Sequence, residues 1–243
     1  MKRHEFQRMR HEARRRTLTV TRVQSLSPRM TRVEFEGEDL KGFVSPAFDD
    51  HIKLFFGDAM RDFTPRRFDA ARGTLTIDFA LHADGPAMRW VRSAGPGTRL
   101  EIGGPRGSIV VPDDFDWNLL VCDEAGLPAL GRKLEELRAG VPVTGLISVA
   151  SAAEQLEFET RAAWSPRWLP RDVEGEDVAA TLRRALREFT WPRGDGFVWV
   201  AAESSVARAV RDEVVGVHKH PPEWVKAASY WKRGEADSHE RLD

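Results

Sequence analysis

The feature that most constrains the fold is a change of hydrophobic pattern near Pro112. Before it, short segments alternate apolar and polar residues: Leu18-Thr19-Val20-Thr21-Arg22-Val23, Met30-Thr31-Arg32-Val33-Glu34-Phe35, His51-Ile52-Lys53-Leu54-Phe55-Phe56, Thr74 to His82, and Thr98-Arg99-Leu100-Glu101-Ile102. A period of two belongs to strands with one buried face. Ser27-Pro28, Gly73 and Gly103-Gly104-Pro105-Arg106-Gly107 punctuate them as turns. With Arg61 to Arg66 as a further strand-like stretch, six short strands predict a small antiparallel barrel over residues 17–113. Past Pro112 the apolar runs become continuous: Leu119-Leu120-Val121-Cys122, Val141 to Val149, and Gly196 to Ala202. Helical patterns follow them, to about Arg138, near 176–189 and from Glu203 to Val215, with an irregular Trp/Pro/Arg-rich stretch at 161–172. Such alternation predicts a parallel sheet covered on both faces over residues 114–243. The fold class expected is therefore β + α/β.

The chain ends differ from this core. Residues 1–16 carry seven Lys/Arg against Glu5 and Glu12, and are expected to form a solvated, partly helical basic tail. A nucleic-acid role for it is weak, because no basic platform elsewhere matches it. Near the other end, Tyr230-Trp231-Lys232-Arg233 either walls one side of a site or belongs to a C-terminal helix docked by its two aromatics.

Charge and cysteine content exclude several functions. The net charge of −1 gives no general attraction to nucleic acid or membrane surfaces. A single cysteine, Cys122, rules out a disulfide framework or cysteine-based zinc site and suits a reducing compartment. No apolar run reaches the roughly 18–20 residues of a bilayer span, and no signal-peptide core is visible, so a cytoplasmic location is expected.

The chemistry-bearing residues fall in three places. Arg61-Asp62-Phe63-Thr64-Pro65-Arg66 sets two guanidiniums, a flat ring and a hydroxyl within six residues. Arg61 and Phe63 share a face of an extended segment, a pairing suited to a ligand with both a diphosphate and a conjugated ring; Thr64 lies on the other face. Gly85-Pro86-Ala87 opens a helix, with Pro in its first turn, and helix N-termini attract phosphate. Third come the carboxyl ends of the parallel strands, where open α/β sheets bind ligands: Asp123 and Glu124, Ala150-Ser151, and Glu203-Ser204-Ser205. The last group equally suits capping of the next helix. No Gly-x-Gly-x-x-Gly loop is present. The seven histidines form no metal-spaced cluster with cysteine or carboxylate, and no catalytic triad stands out, so no metal is expected. A protein without its own acid, base or nucleophile suits chemistry carried by a cofactor.

In order, these residues resemble the siderophore-interacting protein family, flavin-dependent ferric-siderophore reductases within the ferredoxin–NADP reductase superfamily. The resemblance spans about residues 17–235 and rests on Asp50-His51-Ile52-Lys53-Leu54-Phe55, the Arg61–Arg66 stretch, His82 with Gly85-Pro86-Ala87 and Trp90, Gly104-Pro105-Arg106-Gly107, Asp123-Glu124-Ala125-Gly126-Leu127-Pro128-Ala129, Trp199 to Glu203, and Tyr230 to Gly234. It implies an FAD-binding barrel followed by an NAD(P)H-binding domain. It implies that Arg61 meets the flavin diphosphate, with Arg66 in the same motif. Phe63 would stack on the isoalloxazine and Thr64 would bond near the reactive nitrogen; His82, Gly85, Pro86 and Ala87 would hold the diphosphate and adenosine. Asp123 and Glu124 would lie at the cofactor cleft with Glu203 and Ser204. Lys53, Lys232 and Arg233 would receive an anionic ferric siderophore. Four positions depart from the family pattern: Phe63 for Tyr, Ala125 for Thr, Pro170 for His, and Ser148 for an acidic residue. The implied reaction is FAD-dependent ferric-siderophore reduction by NAD(P)H, with ferredoxin as a further candidate partner. A general flavin or ferredoxin reductase and a non-catalytic siderophore-binding protein are the alternatives. Phe63→Ala is expected to weaken FAD retention and Phe63→Tyr to preserve it; flavin absorbance after gel filtration measures this, and a fully yellow alanine variant would remove Phe63 from the site.

Overall fold

In the computed structural model, which describes residues 4–81, 85–171, 175–235 and 240–242, two large sheets lie in sequence order. The first contains β2 (Arg15–Ser27), β3 (Met30–Glu36), β4 (Ile52–Phe56), β5 (Ala59–Phe63), β6 (Arg67–Asp69), β7 (Thr74–Ala80) and β8 (Arg99–Gly103). All its pairings are antiparallel, in the order β5-β4-β8-β2-β3-β7-β6. It has seven strands rather than the six expected, and it is a curled half-barrel: its outer strands β5 and β6 do not pair. The curl brings Phe63, at the end of one outer strand, onto Phe79 of β7 with ring centroids 4.5 Å apart. Alternation decides which residues face inward: Leu18, Val20, Val33, Phe35, Ile52, Leu54, Leu75 and Ile77 are buried together. Helix α1 (Pro86–Ser93) closes this core with Ala87, Met88 and Val91, and Trp90 stacks beside Phe35 and Phe79.

The second sheet contains β10 (Trp117–Cys122), β11 (Pro142–Val149), β12 (Ala163–Pro170), β13 (Gly196–Glu203), β14 (Val225–Trp231) and β15 (Glu240–Arg241), in the order β12-β11-β10-β13-β14-β15. Its first five strands are parallel and β15 is antiparallel. Both faces are buried, which explains the continuous apolar runs. On one face Leu120, Ile147, Trp199 and Ala201 meet α2 (Leu127–Glu136) through Leu127, Leu130 and Leu134. On the other, Leu119, Val121, Val198 and Val200 meet α3 (Val178–Glu188) and α4 (Ser204–Asp212).

Three expectations are corrected. Most of the stretch expected to be irregular is a strand: β12, Ala163–Pro170, lies there as a sheet edge, where Pro166 and Pro170 remove no central ladder bond. The C-terminal segment is not a helix: Val225 to Trp231 pairs in parallel with β13, because burying Ala227, Ala228 and Ser229 beside a ready edge outweighs alanine's helix preference. The N-terminal residues do not form a helical tail. Gln7–Arg10 is β1, paired antiparallel with β9 (Gly107–Val110). Ahead of it, the His4 ring stacks 4.1 Å from Phe115, its nitrogens 2.7 Å from Asp114 and 3.0 Å from Asp195.

A charged seam joins the two halves. Glu135 of α2 accepts paired bonds from Arg66 (2.8 and 2.6 Å) and from Arg67 (3.1 and 2.6 Å). Arg66 also lies 3.7 Å from Asp78, which accepts a fork from Arg32 at 2.7 and 2.8 Å. Arg132, one turn earlier on α2, is buried and donates to Ser45 Oγ at 2.9 Å and to the Pro65 carbonyl at 3.2 Å. Gly131 makes room: a Cβ there would stand 2.9 Å from Arg66 Nη2 and 2.7 Å from the Phe158 ring. Burial pushes the Glu135 carboxyl up, but the bonds and charges of Arg66 and Arg67 outweigh it and hold the group at about 2. A depressed carboxylate adds stability above its unfolded pKa and loses it as pH falls through the folded one, so this seam weakens between about pH 4.5 and 2. Glu135→Gln, which leaves the buried Arg66 without its carboxylate, is expected to lower unfolding free energy by about 3 kcal/mol at neutral pH, measured by denaturant titration.

Candidate active site

The carboxyl ends of β10, β13 and β14 converge on one buried group. Asp123 directly follows β10 and is 4% exposed. Its Oδ1 accepts from Ala125 N–H at 2.9 Å. Its Oδ2 accepts from Glu203 N–H, at the end of β13, and from Trp231 Nε1–H, at the end of β14, both at 2.9 Å. Gly126 permits the tight turn behind it, since a Cβ there would fall 2.6 Å from Cys122 Cβ and 3.0 Å from the Ala201 carbonyl. Burial is the main cause that pushes the Asp123 carboxyl up to about 6; the Glu124 charge adds to it, and the three N–H donors oppose it.

The neighbouring carboxylates are also engaged. Glu203 caps α4 by accepting from Ser205 N–H at 2.7 Å and Val206 N–H at 3.4 Å, and its other oxygen accepts from Arg233 N–H at 3.3 Å. Ser204 is buried at the start of that helix. Glu124 is ion-paired with Arg171, which also reaches Ser148 Oγ at 3.2 Å. Asp123, Glu124, Glu203 and Ser204 thus share the carboxyl end of the sheet, but their polar atoms are largely used within the protein.

From the other half, Thr64 arrives beside the same region. It is buried, and its hydroxyl lies next to the Tyr230 phenol; burial raises the Tyr230 pKa well above its ordinary value, with Thr64 acting in the opposite sense. Phe63 is partly buried against Phe79 and Phe56. Arg61 is half-buried and donates to the Met60 carbonyl at 2.7 Å. Arg66 sits in the seam, 3% exposed and committed to Glu135. Lys53 pairs with Asp62 at 2.9 Å across the β4–β5 ladder. Lys232 is exposed and bridged to Glu235, and Arg233 is exposed beside it. His82 lies outside the described residues.

The residues present fit a flavin dinucleotide. Gly85 opens α1 without a side-chain cap, leaving the first-turn N–H groups to other acceptors. Beside Pro86, a groove of about 380 Å³ is walled by Phe55, Phe56 and Trp90 and flanked by Arg89, Arg99 and Glu101. Two guanidiniums and a helix N-terminus offer donors to a diphosphate, and the rings offer flat surfaces to its ring systems. Among the described residues, no group of three or more His, Cys, Asp or Glu is arranged to hold a metal, and no helix is long and apolar enough to cross a membrane.

Comparison with known proteins decides the family. The Siderophore-interacting protein family matches residues 115–234, and the Siderophore-interacting FAD-binding domain matches 19–59 and 57–109. The chain belongs to the siderophore-interacting protein family. It is 36% identical to the NADPH-dependent ferric-chelate reductase of Escherichia coli (strain K12), over 93% of this chain and 96% of that protein. It is 26% identical to the ferric vibriobactin reductase ViuB of Vibrio cholerae, over 90% of each. A siderophore utilization protein from T. fusca superposes with a TM-score of 0.88 at 33% identity, covering 96% of this chain and 98% of that one. A ferredoxin reductase of carbazole 1,9a-dioxygenase, at 15% identity and a TM-score of 0.65 over 88% of this chain and 68% of that one, shares the fold.

Within this family member, sequence reasoning found Asp123, Glu203 and the Tyr230–Arg233 segment but not the bonds among them. Trp231 carried no signal as a partner of Asp123, which lies 108 positions away. Because folding raises the Asp123 pKa from 3.8 to about 6, this group's contribution to stability falls as pH rises across that window, by roughly 3 kcal/mol in all. Asp123→Asn has no such titration. The melting temperature of the variant relative to wild type is therefore expected to rise between pH 4 and 6.5; a difference constant across that range would contradict it.

Proposed function

We infer that this protein is an FAD-dependent oxidoreductase that reduces ferric siderophores with electrons from NAD(P)H and so releases Fe(II). The observation that carries this is the 36% identity to an NADPH-dependent ferric-chelate reductase along almost the whole of both chains. The match to a siderophore-interacting FAD-binding domain supports the cofactor. Bound FAD supplies two-electron acceptance from the nicotinamide and one-electron delivery to iron. Reduction weakens hard oxygen-donor chelation, so the metal can pass to other ligands.

The chain's own residues bind, orient and attract. Phe63 offers a ring held at a fixed tilt by Phe79 and Phe56, and Thr64 offers a hydroxyl held in a buried position. Arg61 and the first turn of α1, at Gly85, Pro86 and Ala87, are the groups we assign to the diphosphate. The Phe56–Trp90 groove beside them extends that surface. Asp123 is buried and its two oxygens accept three N–H bonds from within the protein, which commits it to holding the strand ends together. This fits a reaction whose protein part is placement and charge. Lys53, Lys232 and Arg233 are assigned to the chelate: a ferric tris-catecholate is strongly anionic, and cations around an open surface raise its local concentration. We place the reaction in the cytoplasm, supported by the single buried and unpaired cysteine.

Purified protein is expected to be yellow or to take up FAD, and to oxidise NADPH only when a ferric chelate is present, with Fe(II) captured by ferrozine. Running ferric siderophore, free flavin and ferredoxin side by side separates this activity from that of a general reductase. Colourless protein that FAD cannot reconstitute would overturn the reading.

A further inference from the structure

Two carboxylates assigned to the cofactor from the sequence are turned toward a different part of the chain. In sheet order β13 lies between β10 and β14, so the Asp123 side chain reaches across one strand end to hold the next. It takes the Glu203 N–H on the way and ends on the Trp231 indole. The ladder shifts register between Ala202 and Glu203, so Glu203 is paired with Trp231 rather than with Tyr230. Glu203 then takes the Arg233 N–H with one oxygen while capping α4 with the other. Lys232 and Glu235 close the turn as an isolated bridge. The Trp231-Lys232-Arg233 segment is thus held by groups fixed at strand ends and by the Lys232–Glu235 bridge, while both cationic side chains remain exposed.

We propose that Asp123 and Glu203 are positioning residues for the substrate: they latch the Trp231–Arg233 segment so that Lys232 and Arg233 stand in place to receive an anionic ferric chelate. This rests on the assignment of those two cations to the chelate. The physical case is one of preorganisation. Lys and Arg side chains on a loose chain end lose conformational freedom when they bind an anion. Fixing their backbone beforehand removes part of that cost and so acts on chelate affinity. Asp123 itself is buried and does not act on the bound molecule directly.

Trp231→Phe removes the indole N–H that Asp123 accepts, together with part of the ring, and Asp123→Asn, which keeps the side-chain volume, is the variant that separates the bond from the packing. Both are loaded with FAD and assayed with a trianionic ferric tris-catecholate and with an uncharged ferric trihydroxamate. The expected result is a KM for the tris-catecholate raised about tenfold, as loss of one bond to a charged group gives. The KM for the trihydroxamate and for NADPH should change less than about twofold, and kcat should hold. In a Lys232→Ala/Arg233→Ala background, Trp231→Phe should add nothing further, because the latch then has no cations to place. Amide hydrogen exchange of residues 229–235, read without any turnover, should accelerate in both latch variants. Unchanged exchange there overturns the latch, and a raised KM for NADPH with an unchanged chelate KM returns Asp123 to the nucleotide site. If wild-type protein reduces neither chelate, the functional reading fails while exchange still decides the latch.

Discussion

One carboxylate shared by two arginines holds the halves of this protein in register. Glu135 stands on a helix of the parallel domain, and Arg66 and Arg67 stand at the outer edge of the antiparallel sheet. A buried arginine is tolerable only when its donors are met, and Arg66 is met by Glu135 with Asp78 beside it. Planar bidentate pairing fixes angle as well as distance. The strand leading into Arg66 therefore arrives at the parallel sheet in one orientation, and that orientation carries Thr64 to Tyr230. Arg132 reinforces it from one turn away by binding the Pro65 carbonyl. The hexapeptide thus divides its labour: Phe63 and Thr64 are the residues assigned to the proposed cofactor site, Asp62 pairs with Lys53, and Arg66 is spent on docking.

The second organising group works within the parallel sheet. Asp123 converts three neighbouring strand ends into a single rigid rim. The cost is a buried charge, visible in a carboxyl pushed up to about 6. That cost comes with a geometric gain, since the same carboxylate fixes the strand ends that carry the cations of the C-terminal turn.

Much of the fold was legible locally. Alternation in Leu18–Val23 and Met30–Phe35, and unbroken apolar runs in Leu119–Cys122 and Gly196–Ala202, each report how many faces a strand buries. What was misread depended on partners far away. Val225–Trp231 has alanines that suit a helix, and only the open edge of β13 makes it a strand. Ala163–Pro170 has prolines that argue against a strand, and only its place at the sheet edge permits one. Gln7–Arg10 has no apolar alternation, and its pairing follows from the free edge of β9 and the anchoring of His4.

The same division holds at the site. The sequence by itself determined which chemical groups exist and roughly where along the strands they fall: a ring and hydroxyl at Phe63 and Thr64, a phosphate-suited turn at Gly85-Pro86, carboxylates after strand ends, and cations at Lys232 and Arg233. These follow from short-range spacing. Only the tertiary structure decided what each group is bonded to. Arg66 went to Glu135, Asp123 to Trp231, Glu203 to Arg233 N–H, and Glu124 to Arg171. The reason is that a charged side chain is assigned by whatever complementary group lies within about 3 Å once the chain has folded. Those neighbours come from segments 30 to 108 positions apart, a separation that no local pattern encodes.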